Sequence, residues 1–326
     1  MTILVTGGTG FLGSYLVRYA LEMGEDRVVV LERYADRARI ADVLDRVTIV
    51  EGDVADTETV RSIIAEHGVD RIAHFAFILG SPSPGQMIDY VKVQSVGTAN
   101  VLECARQAGV KRVLFASSVA AYGRQDAETL VETLIPNPDN LYGASKAWAE
   151  SLGEHYRRHL GLEVVTVRYG SIYGLGRALR GSYKSGLLPV PEKTHYMARV
   201  EQALRGLPIV MPDDAAMADW TYGGDAAQAA WLALTAPELP HFLYNVGAER
   251  LAVGDFTAAM RELLPDADIS VSESEQPGNP HISMDAGRLR TDLGFAPRYT
   301  LRTGLADYIE RIRIADAYTL QEKASA

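Results

Sequence analysis

Three features of the sequence predict an α/β fold built on a parallel sheet. Short apolar runs alternate with amphipathic stretches through the first half of the chain. These runs are continuously apolar, as strands covered on both faces must be. The first, Thr2 to Val5, passes straight into Thr6-Gly7-Gly8-Thr9-Gly10-Phe11-Leu12-Gly13, a glycine-rich turn that opens a helix. Parallel neighbours need right-handed βαβ crossovers, which lay helices on both faces. The expected architecture is a Rossmann-type doubly wound parallel sheet with a smaller C-terminal substrate-binding lobe.

The remaining elements follow in order. Arg27 to Leu31 and Val47 to Val50 read as strands, and Thr57 to His67 as a helix. Arg71 to Phe75 and Arg112 to Ala116 are two more short apolar runs, separated by a helix over about Met87 to Ala108. Pro136-Asn137-Pro138-Asp139 breaks the chain before a helix from about Leu141 to Leu160, where Trp148, Leu152, Tyr156 and Leu160 form an apolar row in four-residue steps and Gly161 supplies a stop. Val164 to Val167 is the next strand. Gly174 to Pro191 reads as a long loop, of the kind that compact domains keep for function. Met197 to Leu204, Asp225 to Leu234, Phe256 to Leu264 and Leu305 to Ile314 look helical, Phe242 to Val246 extended, and Gln321 to Ala326 frayed. This divides the chain into a dinucleotide-binding domain over 1–173, to which 216–246 returns, and a substrate lobe from 174–215 and 247–326.

Composition narrows the function classes. Of 326 residues, 47% are hydrophobic and 23% charged, an ordinary balance for one large core or one core with an appended lobe. Lys and Arg number 32 and Asp and Glu 42, a net charge of −10 that argues against a nucleic-acid partner, which needs a basic face. A lone cysteine, Cys104, sits in an apolar helical stretch as a small buried residue and excludes an internal disulfide. No apolar run reaches the ~20 residues of a membrane helix, and the first strand leaves no room for a signal peptide. The expected compartment is the cytoplasm.

Gly8, Gly10 and Gly13 fit the G-x-G-x-x-G spacing. The first glycines let backbone approach a pyrophosphate, the last lets the helix pack on the sheet, and the open helix end offers N–H groups and a positive dipole end. Glu32 closes the second strand, where a carboxylate accepts hydrogen bonds from the adenosine ribose and repels a 2′-phosphate. That favours NAD, against the opposing pull of Arg33, Arg37 and Arg39. Tyr142 and Lys146 are four apart, hence one turn apart on one helix face. An ammonium near a phenol favours phenolate, and a tyrosine so tuned can exchange a proton with a substrate oxygen. Ser117-Ser118 ends a strand at the carboxyl edge of the sheet, where open α/β sheets place their active crevice. His74 reads as a packed strand-end residue, and His195 as a candidate substrate contact in the lobe. No His/Cys/Asp cluster has metal-ligand spacing, so no metal site is expected.

With these residues in place, the chain resembles the extended short-chain dehydrogenase/reductases of the NAD-dependent epimerase/dehydratase group over nearly its whole length. The resemblance rests on the glycine-rich turn, Gly52-Asp53-Val54, His74-Phe75-Ala76, Gly97-Thr98, Ser117-Ser118, Tyr142 with Lys146, and Arg168 to Gly174. Late in the chain it rests on Asp219 to Tyr222 and Leu293 to Pro297. It implies Tyr142 as general acid/base, Lys146 holding the nicotinamide ribose, and Ser118 orienting the substrate. It further implies cofactor contacts at Gly7, Gly10, Phe11, Leu12, Gly13, Glu32, Arg33, Asp53, Val54, Phe75, Ala76, Phe77, Gln94, Tyr142, Lys146, Tyr169 and Ser171. A homodimer through two helices per subunit is implied as well, with Val91, Val101 and Trp148 facing outward.

Three departures bear on the substrate. Gln94 stands where the family often has asparagine, and Ser171 and Ala218 stand where sugar-nucleotide members often carry asparagine and arginine. A missing arginine weakens diphosphate recognition, because no other side chain offers its bidentate fork; Arg177, Arg180 and Arg199 could substitute. The loop Phe77-Ile78-Leu79-Gly80-Ser81-Pro82-Ser83-Pro84 is apolar and then proline-rich, suiting a less polar substrate. The reading favoured is an NAD-dependent oxidoreductase acting on a secondary alcohol or ketone of a small molecule. A sugar or nucleotide-sugar epimerase or dehydratase that retains its cofactor is the alternative, and a non-catalytic NAD-binding scaffold a third.

Overall fold

The structure is a computed structural model that describes residues 1–80, 82, 85–176, 199–213, 217–247, 249–273 and 283–325. In chain order these form β1 (Thr2–Thr6), α1 (Phe11–Glu22), β2 (Arg27–Glu32), β3 (Val47–Glu51), α2 (Thr57–His67), β4 (Arg71–His74), α3 (Met87–Val91), α4 (Thr98–Gln107), β5 (Arg112–Ser118), β6 (Thr129–Leu130), α5 (Leu141–His159), β7 (Val164–Tyr169) and β8 (Ser171–Tyr173). Then come α6 (Arg199–Leu204), β9 (Ile209–Asp213), β10 (Met217–Tyr222), α7 (Gly223–Thr235), β11 (Leu243–Val246), β12 (Glu249–Ala252), α8 (Val253–Leu263), β13 (Ile269–Glu273), β14 (Ser283–Met284), α9 (Gly287–Leu293) and α10 (Leu301–Ser325).

The main sheet has seven strands in the order β11-β7-β5-β4-β1-β2-β3, every neighbouring pair parallel. Strand order reverses between β1 and β4, and such a switch point opens a crevice beyond the strands' carboxyl ends. β1 and β7 are buried along their whole length, as strands covered on both faces must be. The later segments add a three-stranded sheet, β12-β10-β8, and the pair β13-β9. One apolar cluster runs from β1 and α1 through α7 into Met211, Phe256 and Met260.

Local chemistry accounts for the helix ends. Asp56 caps α2 by accepting from Glu58 N at 3.1 Å, and Gly68 closes it at φ 57°. Asn140 caps α5, accepting from Gly143 N at 2.9 Å, while Arg157, Arg158 and His159 meet the negative end of its dipole.

Four expectations are corrected. The helix over Met87 to Ala108 is broken by a π turn at Lys92–Gly97. A π turn takes up one extra residue, which rotates the later residues about the helix axis by about 100°. Val101 therefore faces inward and is fully buried, whereas Val91 remains exposed. On α5 the apolar row divides: Trp148, as expected, and also Leu160 are exposed, whereas Leu152 and Tyr156 pack on the core beside a buried stripe of Gly143, Lys146, Ala149, Glu150 and Gly153. Gln321 to Ser325, expected to fray, continue α10 on good helix formers after its last buried residue, Ala315, while Ala326 lies outside the described residues. Most of the long loop, with Arg177 and Arg180, lies outside the described residues, and so does His195 beyond it. No described helix is long and apolar enough to cross a membrane.

Arg112 is a structural hinge-pin of the sheet. It is 3% exposed, and its Nη1 donates to the carbonyls of Ala233, Leu234 and Ala236 at the end of α7, while Nε donates to Glu163 at 2.7 Å. Replacing Arg112 with Met strands those carbonyls, and urea unfolding should record a loss of about 3 kcal/mol.

Candidate active site

At the switch point the end of β1, the start of α1 and the ends of β2, β4 and β5 enclose a cavity of about 390 Å³. Its floor is the glycine turn. A Cβ on Gly13 would lie 2.1 Å from Gly7 O, and one on Gly7 would lie 2.7 Å from the Phe75 carbonyl carbon, so backbone packs on backbone with no room for side chains. Gly7 also has φ 72°, which glycine adopts freely. α1 follows Gly10 with no side-chain cap and no acidic residue in its first turn, leaving its N–H groups and positive dipole end at the cavity that Gly10 to Gly13 line. This cradle fits a pyrophosphate.

At one end of the cavity stand Glu32, Arg33, Tyr34, Gly52, Asp53 and Val54. Glu32 holds the turn itself: Thr9 donates to its Oε2 through N at 3.2 Å and Oγ1 at 3.0 Å. Burial pushes the Glu32 carboxyl upward, with the Thr9 bonds opposing. Arg33 lies 3.6 Å from Asp53 and stacks on Tyr34, which the sequence reading did not single out; an aromatic two residues after the strand-end acid was the available signal.

At the other end Tyr142 and Lys146 line the wall with Phe75, Ala76, Phe77, Ile78, Leu79, Ala116 and Ser117. The helical spacing does bring the pair together, the Lys146 ammonium standing 5.5 Å from the Tyr142 ring centroid. Lys146 is 2% exposed and donates to Ala116 O at 2.7 Å. Desolvation holds it well below the ordinary lysine range, and Glu150 pulls the other way.

The two serines differ in what their hydroxyls can still do. Ser117 gives its proton to Glu150, which also takes Arg168 Nε at 2.8 Å and Nη2 at 2.5 Å. Ser118 Oγ accepts from Ala120 N at 3.2 Å, so its own proton remains to be donated. Ser118, Gln94, Tyr169 and Ser171 do not line the cavity. Gln94 is instead a loop fastener: its Oε1 accepts from Ile78 N at 3.0 Å and its Nε2 donates to Ile78 O at 3.2 Å. Tyr169 is buried behind Phe75, its hydroxyl without a hydrogen-bond partner among the described residues. No cluster of His, Cys, Asp and Glu among the described residues could hold a metal.

Residues 3–247 match the model of the NAD dependent epimerase/dehydratase family. The chain belongs to this family. It is 28% identical to the UDP-glucose 4-epimerase of Azospirillum brasilense over 317 residues, 93% of this chain and 89% of that protein. The structure of the Thermus thermophilus UDP-glucose 4-epimerase in complex with NAD superposes with a TM-score of 0.75 at 28% identity, covering 96% of this chain and 99% of that one. DesIV, a dTDP-glucose 4,6-dehydratase from Streptomyces venezuelae solved with NAD and TYD bound, gives 0.77 at 27% identity, covering 98% of each. This family member is an NAD-dependent enzyme with a Rossmann fold, and the cradle of Gly7, Gly10 and Gly13 fits the cofactor's pyrophosphate.

His74, at the end of β4 and behind the cavity lining, is a buried neutral imidazole. Thr98 Oγ1 gives its proton to Gln94 O at 2.7 Å, so at 3.3 Å from His74 Nε2 it can only accept; Thr6 Oγ1 lies 2.7 Å from Nδ1 and donates. These bonds assign the Nε2–H tautomer. Burial, reinforced by the Lys146 charge, pushes the His74 pKa down to about 3. An unfolded histidine titrates near 6.5, so the stabilisation is complete above that pH and drains away as pH falls toward 3. Between pH 6.5 and 5 chemical unfolding should show a loss of about 2 kcal/mol from this group, and His74→Asn should flatten that segment of the pH curve.

Proposed function

We propose that this enzyme acts on a secondary alcohol or ketone carbon of a small molecule, with Tyr142 as general acid/base. One observation carries the reading: Tyr142 and the buried Lys146 share a single cavity with the glycine cradle. NAD supplies the hydride acceptor, or in its reduced form the donor. Tyr142 moves the proton at the substrate oxygen, and the Lys146 ammonium beside it favours the phenolate. Ser118 holds that oxygen with its free proton, a role closed to Ser117 by its bond to Glu150. Gly7, Gly10, Phe11, Leu12 and Gly13 hold the pyrophosphate, with Glu32, Arg33, Asp53 and Val54 at the adenosine end and Phe75, Ala76 and Phe77 toward the nicotinamide. The division into a dinucleotide domain and a substrate lobe, with the substrate between them, is part of the same reading.

Within this chemistry the dehydrogenase or reductase outcome is favoured, because Ser171 and Ala218 stand where sugar-nucleotide members often carry asparagine and arginine and the wall at Phe77, Ile78 and Leu79 is apolar. The relatives support a second reading, in which the hydride returns to a nucleotide sugar and NAD never leaves. Denaturing the purified protein and identifying released nucleotide separates the two: near-stoichiometric NAD indicates the second, an empty protein that binds NAD reversibly the first. Tyr142→Phe should lower kcat by about 10²–10⁴-fold while NAD affinity, measured by fluorescence titration, stays within a few-fold of native. Unchanged function in that variant would mean a scaffold instead.

The reading includes a homodimer, and a cytoplasmic location in keeping with the lone buried cysteine. Met87, Ile88 and Val91 on α3 and Leu141 and Trp148 on α5 are exposed apolar residues suited to a seam of paired helices. Sedimentation at micromolar concentration should give a dimer, and Trp148→Glu should shift it to monomer.

A further inference from the structure

Phe77 is fixed more firmly than a loop residue at a cavity wall requires. Its N donates to Phe75 O at 2.9 Å, and the next residue, Ile78, is clasped at both its N–H and carbonyl by the Gln94 amide. The Phe77 ring meets Phe115 edge-on with centroids 5.1 Å apart and lies 4.6 Å from the His74 ring. Held this way, its face lies 3.2 Å from Lys146 Nζ.

That contact matters because of what else surrounds the ammonium. Its one hydrogen bond among the described residues goes to the Ala116 carbonyl of β5. Phe115, also on β5, stands 5.1 Å away and Tyr142, one turn back on α5, 5.5 Å. His74, at the end of β4, is neutral and offers no counter-charge. Glu150, one turn on along α5, is the carboxylate whose field reaches Lys146, but it is shared with Ser117 of β5 and with the Arg168 guanidinium of β7, whose positive charge offsets it. A buried ammonium so placed needs another source of negative potential, and the face of an aromatic ring supplies one, the more strongly where water is excluded.

We propose that Phe77 is a positioning residue of this active site: its ring face holds the Lys146 ammonium in place and keeps it charged beside Tyr142. The proposal rests on the reading of Tyr142 and Lys146 given above, and it goes beyond it by giving the first residue of the apolar loop an electrostatic task in addition to shaping the substrate wall.

The test measures Lys146 directly, in protein freed of cofactor. Acetic anhydride reacts with the neutral amine alone, so the pH dependence of Lys146 acetylation, followed by peptide mass spectrometry, gives its titration midpoint. A change in access alters the plateau rate and leaves the midpoint where it was. Phe77→Leu should lower the midpoint by about one pH unit, a tenfold fall in the charged fraction at a given alkaline pH. Phe77→Tyr, which keeps the ring, should match the native protein. Phe77→Met, close in volume, provides the same comparison if the leucine variant does not fold. An unmoved midpoint in the aliphatic variants, or an equal fall in Phe77→Tyr, overturns the proposal. In turnover the acid limb of kcat/KM should move up in Phe77→Leu and not in Phe77→Tyr. The labelling result is independent of whether Tyr142 is the acid/base, whose own failure would appear as undiminished turnover in Tyr142→Phe.

Discussion

Much of this active site depends on one buried carboxylate. Glu150 receives the Ser117 hydroxyl from β5 and the Nε and Nη2 of Arg168 from β7, and it stands on α5 one turn beyond Lys146. Three elements that come together only in the tertiary fold are thus tied at a single point, next to the strand ends that carry Ser118 and Tyr169. Ser117 and Ser118 pair with Arg168 and Tyr169 in register. The network continues outward, because the Arg168 guanidinium lies 4.1 Å from the Tyr122 ring centre and Tyr122 donates to Asn245 at 2.8 Å. Such an arrangement tolerates no missing partner, since a buried charge left alone costs several kcal/mol.

Burial likewise governs the titratable groups near Glu150. Lys146 and His74 are both removed from water, and each is displaced from its ordinary ionisation in the direction burial dictates. His74 answers by staying neutral within two threonine hydroxyls. Lys146 has a carbonyl, an aromatic face and a shared carboxylate around it. In this low-dielectric setting small changes in neighbouring charge act strongly. In the glycine cradle, uncapped N–H groups and close-packed backbone offer an anion site without an ionised side chain.

The π turn between α3 and α4 shows how one irregularity redistributes roles. It carries Gln94 inward, where its amide clasps the loop of Phe77 and Ile78, and it turns Val101 into the core and away from any partner. The glycine that ends the turn, Gly97, is needed because a Cβ there would stand 2.6 Å from Val54 Cγ2. The Phe77–Ile78 loop at the cavity wall and the segment that approaches Val54 are therefore both set by one widened turn.

The sheet, its crossovers, the glycine cradle and the Tyr142–Lys146 pair were legible in the sequence. Each depends on local spacing: continuous apolar runs, a turn that excludes Cβ atoms, and two residues one helical turn apart. The buried face of α5 was only partly legible. The apolar row named Leu152 and Tyr156, which do pack on the core, but gave no sign that the same helix buries Lys146 and Glu150. Their partners come from β5 and β7, between 18 and 33 residues away in sequence and unrelated by any local pattern. For the same reason the sequence could name Ser117 and Ser118 without showing which hydroxyl keeps its proton. Composition and periodicity report what a residue prefers next to its chain neighbours; where a charge is buried, the tertiary fold decides, by supplying or withholding the group that compensates it.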